Sequence, residues 1–276
     1  MNQSEAAAPT LLEEGGGDMS CGWFNDLTTS LNACSLETYF PIPRHGDISS
    51  DKSSDLPLVV GCYQLNEPSE SDQEYTDTAS SSIGSNRSGE LRLYMIPMPS
   101  TSKNELQFRE AASVLQMESG ILDGKWRKKR QSNNNEQRMI QGDENPIFAS
   151  ASASGCVHIH GLTKNKPNDS DVRATWSLNH LVSSEGQNES GLCLALAWND
   201  YLDEPDDQIV SSYSNGEVAI HQISYHEDKN KVPKLEETYR WNAHTLFGCP
   251  SEVWTCSFLK GAEHVVLSGA DDVSIF

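Results

Sequence analysis

The chain has 276 residues, 36% of them hydrophobic, and a formal net charge of −20. So acidic a composition argues against a nucleic-acid partner, because phosphate binding needs a basic face. No apolar run approaches the ~20 residues of a membrane span.

In chain order, residues 1–26 are expected to form a disordered N-terminal segment; Ala6 to Asp18 is rich in Ala, Gly and Glu. Residues 27–276 are expected to form one repeat domain. Its first β-prone run is Leu58-Val-Val-Gly-Cys-Tyr63. A polar insert over about 66–88, with almost no apolar residue, cannot bury enough surface to offset its ordering entropy and is expected to be mobile. Gly89-Glu-Leu-Arg-Leu-Tyr-Met-Ile96 follows, alternating apolar and polar with the period of a half-buried strand. Gly120-Ile-Leu-Asp-Gly-Lys-Trp126 is a further strand ending on an aromatic residue. It runs into Lys125-Trp-Arg-Lys-Lys-Arg130 and a second insert over about 127–145, also expected to be mobile.

The pattern then recurs. Ile147-Phe-Ala-Ser-Ala-Ser152 leads to Gly155-Cys-Val-His-Ile-His-Gly-Leu162. Cys193-Leu-Ala-Leu-Ala-Trp198 and Gln208-Ile-Val-Ser-Ser-Tyr213 lead to Gly216-Glu-Val-Ala-Ile-His-Gln-Ile223. Val253-Trp-Thr-Cys-Ser-Phe258 and His264-Val-Val-Leu-Ser-Gly269 lead to a fourth turn, with Val273 where the glycine stands in the others. The octet glycines are expected to supply the positive φ of a hairpin turn. Each unit thus offers three strands with room for a fourth. Four-stranded units repeating along a chain describe propeller blades, so the fold class is all-β: a partial WD-repeat propeller of about four degenerate blades with disordered inserts.

The last unit carries the clearest signature. Trp241-Asn-Ala-His244, a strand, and Ser268-Gly-Ala-Asp-Asp272 resemble the WD repeat, in which a His, a strand Ser and a turn Asp form a hydrogen-bonded brace. His244, Ser268 and Asp272 match it by position. His244 with Asp271 or Asp272 also has the residue types of a base-and-orienter pair for catalysis. The brace accounts for these residues without catalysis and is the favoured reading.

Other chemistry is thin. His158 and His160 share a strand face as a two-His ligand set would, but no Cys-x-x-Cys or His-Glu-x-x-His accompanies them, so no metal is expected. His221 stands at the equivalent place to His160, which favours a structural role for both. No Gly-x-Ser-x-Gly elbow or phosphate-cradling loop occurs, and no cofactor is expected. Trp126, Trp198 and Phe258 recur at matching places and read as core packing more readily than as a base-stacking surface. The basic run Lys125–Arg130 reads as the exposed start of an insert, with a targeting role as the alternative. Seven cysteines without regular spacing, and no secretory leader at the N-terminus, fit a reduced cytoplasmic chain. Cys156, Cys193 and Cys256 are placed in strands.

Taken in order, Gly-Cys-Tyr-Gln-Leu65, Gly-Glu-Leu-Arg-Leu-Tyr94, Ile-Leu-Asp-Gly-Lys-Trp126, Cys-Leu-Ala-Leu-Ala-Trp198, Ile-Val-Ser-Ser-Tyr-Ser-Asn-Gly-Glu-Val218 and the last unit resemble the N-terminal half of the diphthine methyl ester hydrolase family. These are WD-repeat proteins of diphthamide biosynthesis, also named diphthine methyltransferases. The resemblance spans about Leu56 to Phe276. It implies hydrolysis of the methyl ester of methylated diphthine on translation elongation factor 2, without transferring any catalytic residue to this chain. A halt inside the fourth blade is expected to mark a truncated product. The rival reading is a non-catalytic scaffold for other proteins.

Overall fold

A computed structural model describes residues 31–39, 55–65, 87–96, 111–128, 146–165, 175–185, 191–200, 207–225 and 232–274. The expected disordered segment 1–26 and most of both expected inserts lie outside them; Arg87, Ser88, Arg127 and Lys128 lie inside, Arg87 and Ser88 in a strand.

The described chain is all strand. β1 (Asn32–Thr38), β2 (Leu56–Leu65), β3 (Arg87–Ile96) and β4 (Ser113–Met117) form one antiparallel four-stranded sheet in that order. β5 (Ile121–Trp126), β6 (Ile147–Ser152), β7 (Val157–Asn165) and β8 (Thr175–Ser183) form the second. β9 (Cys193–Trp198), β10 (Asp207–Tyr213), β11 (Glu217–Ser224) and β12 (Lys234–Asn242) form the third. After a small hairpin, β13 (Thr245–Leu246) and β14 (Cys249–Pro250), a two-stranded sheet of β15 (Val253–Leu259) and β16 (Ala262–Ala270) follows. The first strands β1, β5, β9 and β15 lie side by side. This is the arrangement of propeller blades around an axis, with three blades of four strands and the inner pair of a fourth.

The three recurring runs recognised in the sequence are the first, second and third strands of these blades. Ile147–Ser152 and Cys193–Trp198 fall on β6 and β9 residue for residue. The Ser/Ala-rich β6 is the second strand from the axis, and all but its first residue is buried. Cys193 and Cys256 lie in strands, whereas Cys156 immediately precedes β7.

Core packing runs between blades. Trp126, Phe148, Leu91, Leu93 and Leu162 share one cluster; Trp198, Ile159, Ile209 and Tyr213 share the next. Gly155 and Gly216 hold φ of 77° and 84°, as a turn glycine should. Gly89 departs from that expectation. It is paired inside β3 opposite Tyr63 and Met117, and a Cβ there would run into the Ser119 carbonyl. Close backbone approach, not turn geometry, requires a glycine at that position.

Candidate functional site: the inner-strand cleft

His244 precedes the fourth blade and is fully buried. Its Nδ1 lies 3.0 Å from both carboxylate oxygens of Asp272, and its Nε2 lies 2.9 Å from Ser268 Oγ. The WD brace read from the sequence is thus formed. The same three side chains have the order of a nucleophile, base and orienter. Ser268 is 4% exposed, so no substrate reaches its hydroxyl without the blade opening. Burial opposes the Asp272 charge, but the Ser274 N–H and His244 hold its carboxyl below the usual range. Asp271 does not join this set; its Oδ1 accepts the indole N–H of Trp254 at 3.0 Å.

The other histidines pair with serines. His160 Nε2 lies 2.9 Å from Ser150 Oγ, and His221 Nε2 lies 2.9 Å from Ser211 Oγ, at equivalent places in successive blades. His160 is completely buried. Burial pushes His160 well below the ordinary imidazole value and His221 down to about 4. His158 is engaged on both nitrogens, by Ser183 and Ser152. Among the described residues no group of three His, Cys, Asp or Glu is placed to hold a metal ion.

The basic run does not stand free. Lys125 Nζ lies 3.1 Å from Asp123, Arg127 lies 3.0 Å from Asp207, and Lys128 lies 3.4 Å from Asp200. Lys129 and Arg130 lie outside the described residues.

The feature with room for a ligand lies where the first strands converge. A cleft of about 530 Å³ is walled by β5, β9 and β15, with Glu37 of β1 at one side. Asp123 and Lys125 lie on β5, Lys128 just beyond it, and Trp254 on β15. Asp123 is anchored three ways: it accepts the N–H of Gly124 at 2.8 Å, the Lys125 ammonium, and the N–H of Leu196 in the next blade at 3.1 Å. Two tryptophans fix the blade spacing behind this wall. Trp126 Nε1 donates to the Glu37 carbonyl at 3.2 Å, and Trp198 Nε1 donates to the Lys125 carbonyl at 2.9 Å. Both rings are buried, as expected of core residues. Burial raises the pKa of the Glu37 carboxyl above its ordinary value; Asp123 pushes the same way, while Lys125 and Lys128 pull against it.

Sequence reasoning missed Glu37 and Trp254 as cleft residues. β1 carries no turn glycine and no regular alternation, so nothing in Asn32-Ala-Cys-Ser-Leu-Glu-Thr38 points to an innermost strand.

No protein-family profile matches the chain, and no curated protein matches it. A solved structure, Sqt1 from Chaetomium thermophilum, is similar over 89% of this chain and 42% of its own, at 9% identity and a TM-score of 0.46. The chain therefore spans less than half the length of that protein. The WD-repeat assignment is carried by the four-stranded antiparallel order, the packing of first strands, and the His244 brace. Among the described residues no helix is long and apolar enough to cross a membrane.

Proposed function

We propose that this chain forms the first blades of a WD-repeat protein that hydrolyses the methyl ester of methylated diphthine on translation elongation factor 2, in the cytoplasm. One observation supports the reading above others. Ile121-Leu-Asp-Gly-Lys-Trp126, among the more specific segments in the family resemblance, forms a wall of the cleft, with Leu122, Asp123, Lys125 and Trp126 all lining it. The reaction is acyl transfer to water. It needs a base for the water and a positive charge where the carbonyl oxygen becomes an anion. Carboxylates and ammonium groups both face the cleft.

A second reading has its own support. The Ser268–His244–Asp272 set is sealed, which favours a scaffold that offers its propeller surface to a protein partner without turnover. Methyl-esterified elongation factor 2 incubated with the full chain separates the two. The hydrolase reading expects methanol release well above buffer. Stable binding of the factor with no methanol favours the scaffold and overturns the esterase.

A further inference from the structure

We propose that Glu37 is the base that activates water in the inner-strand cleft, with the ammonium groups of Lys125 and Lys128 facing the charge that develops on the ester carbonyl. This inference rests on the hydrolase reading and adds to it the residue that moves the proton.

Elimination among the cleft carboxylates leads to Glu37. Asp123 accepts two backbone N–H groups and an ammonium, the bond from Leu196 tying the second blade to the third, so three of its about four acceptor positions serve the structure. Asp200 is paired with Lys128. Among the described residues, no hydrogen bond engages the Glu37 carboxylate. The fold uses this residue through its backbone instead: its carbonyl takes the Trp126 indole N–H, and it pairs with Val59 in the ladder. The side chain is half-buried and left over from the structural task.

The surroundings suit a base. Partial burial strengthens the carboxylate's hold on a proton, and Asp123 adds to this. Lys125 and Lys128 pull the other way but do not reverse the rise. Their side chains are 42% and 77% exposed, and an ammonium carries three donors, so each can keep its contact with Asp123 or Asp200 and direct a further N–H at an anionic oxygen. β9 and β15 present no other charged group to Glu37; their contribution to the wall is Leu194 to Trp198 and Trp254 to Phe258.

The step balances. Glu37 takes a proton from water as the water oxygen bonds to the ester carbon, and the carbonyl electron pair moves onto oxygen beside the ammonium groups. The tetrahedral species collapses, the carbon–methoxy bond breaks, and Glu37 returns the proton to the departing methoxide. Ester and water become carboxylic acid and methanol, and the acid then ionises. No oxidant, reductant or co-substrate enters.

The test is Glu37→Gln in the full chain, with methanol release from methyl-esterified elongation factor 2 as the readout. A general base contributes typically 10²–10⁴-fold. Glu37→Gln should therefore lower kcat by that factor with KM nearly unchanged, and abolish the acid limb of the pH–rate profile. Its thermal midpoint should stay at the wild-type value, because the Trp126 contact is made by backbone. Glu37→Asp, which keeps the charge one methylene further back, should lose less activity and keep a displaced acid limb. Wild-type kcat in either variant, or an intact acid limb in Glu37→Gln, overturns the assignment of Glu37 alone. Absence of methanol from the wild-type protein overturns the hydrolase reading and this inference with it.

Discussion

Val273 holds a left-handed backbone, φ 62°, at the turn where Gly155 and Gly216 stand in the preceding blades. Its side chain is 94% exposed and gains nothing from packing. A β-branched residue is strained in that region by roughly 1–2 kcal/mol. Val273→Gly should raise stability by about 1 kcal/mol, part of the relief being offset by the greater freedom of glycine when unfolded; urea melts of the two proteins measure it. A second prediction at this scale concerns Ser268. Replacing it by Ala leaves His244 Nε2 buried without its 2.9 Å partner, and should cost about 1–3 kcal/mol. The same Ser268→Ala protein should release methanol at the wild-type rate below its melting temperature. A loss of several orders of magnitude in kcat would instead identify Ser268 as a nucleophile.

Two side-chain devices recur at the level of strands. The first is the indole bond from the end of one first strand to the carbonyl of the preceding one, made by Trp126 and Trp198. Trp198→Phe removes the N–H, strands the Lys125 carbonyl and leaves a gap, and should cost roughly 2–4 kcal/mol in urea unfolding. The second is the buried His–Ser pair at His160–Ser150 and His221–Ser211. His221 has a folded pKa of about 4 against about 6.5 when unfolded, so the unfolded chain binds its proton first as pH falls. Stability should be full above pH ~6.5, decline between there and 4, and level off below. His221 alone accounts for on the order of 3 kcal/mol of that decline, and melts of wild type against His221→Gln across this range isolate it.

The same strands mark what the sequence could convey. First, second and third strands other than β1 are legible because at least one face of each is buried, which enforces alternation or a small-residue run. The fourth strands β4, β8 and β12 have only Leu178 and Leu235 buried among them, so no buried apolar face marks them. β1 fails for the same reason, and Glu37 was hidden with it. His244 and Asp272 were legible because the brace has fixed residue types at fixed places. The exclusion of Asp271 was not, since only the turn geometry decides which of two adjacent carboxylates faces the imidazole.

Across the whole molecule, neighbouring blades are bound by contacts that differ from seam to seam. The first two seams each carry an indole donor, and the second also carries the Asp123 bond to Leu196. At the third, Phe258 takes the tryptophan's place and its ring has no N–H to give; the cross-blade polar contact there includes the long Cys256 Sγ approach to the Ala195 carbonyl, 3.7 Å. β16 also has no third strand beside it in the described structure. The backbone amides of β15 and β16 should therefore exchange with deuterium sooner than those of β5, β6, β9 and β10, as mass spectrometry of peptic fragments would register. Under load such a molecule would yield seam by seam rather than all at once: β15 would part from β9 first, and the cleft, its β15 wall gone, would lie open to bulk water.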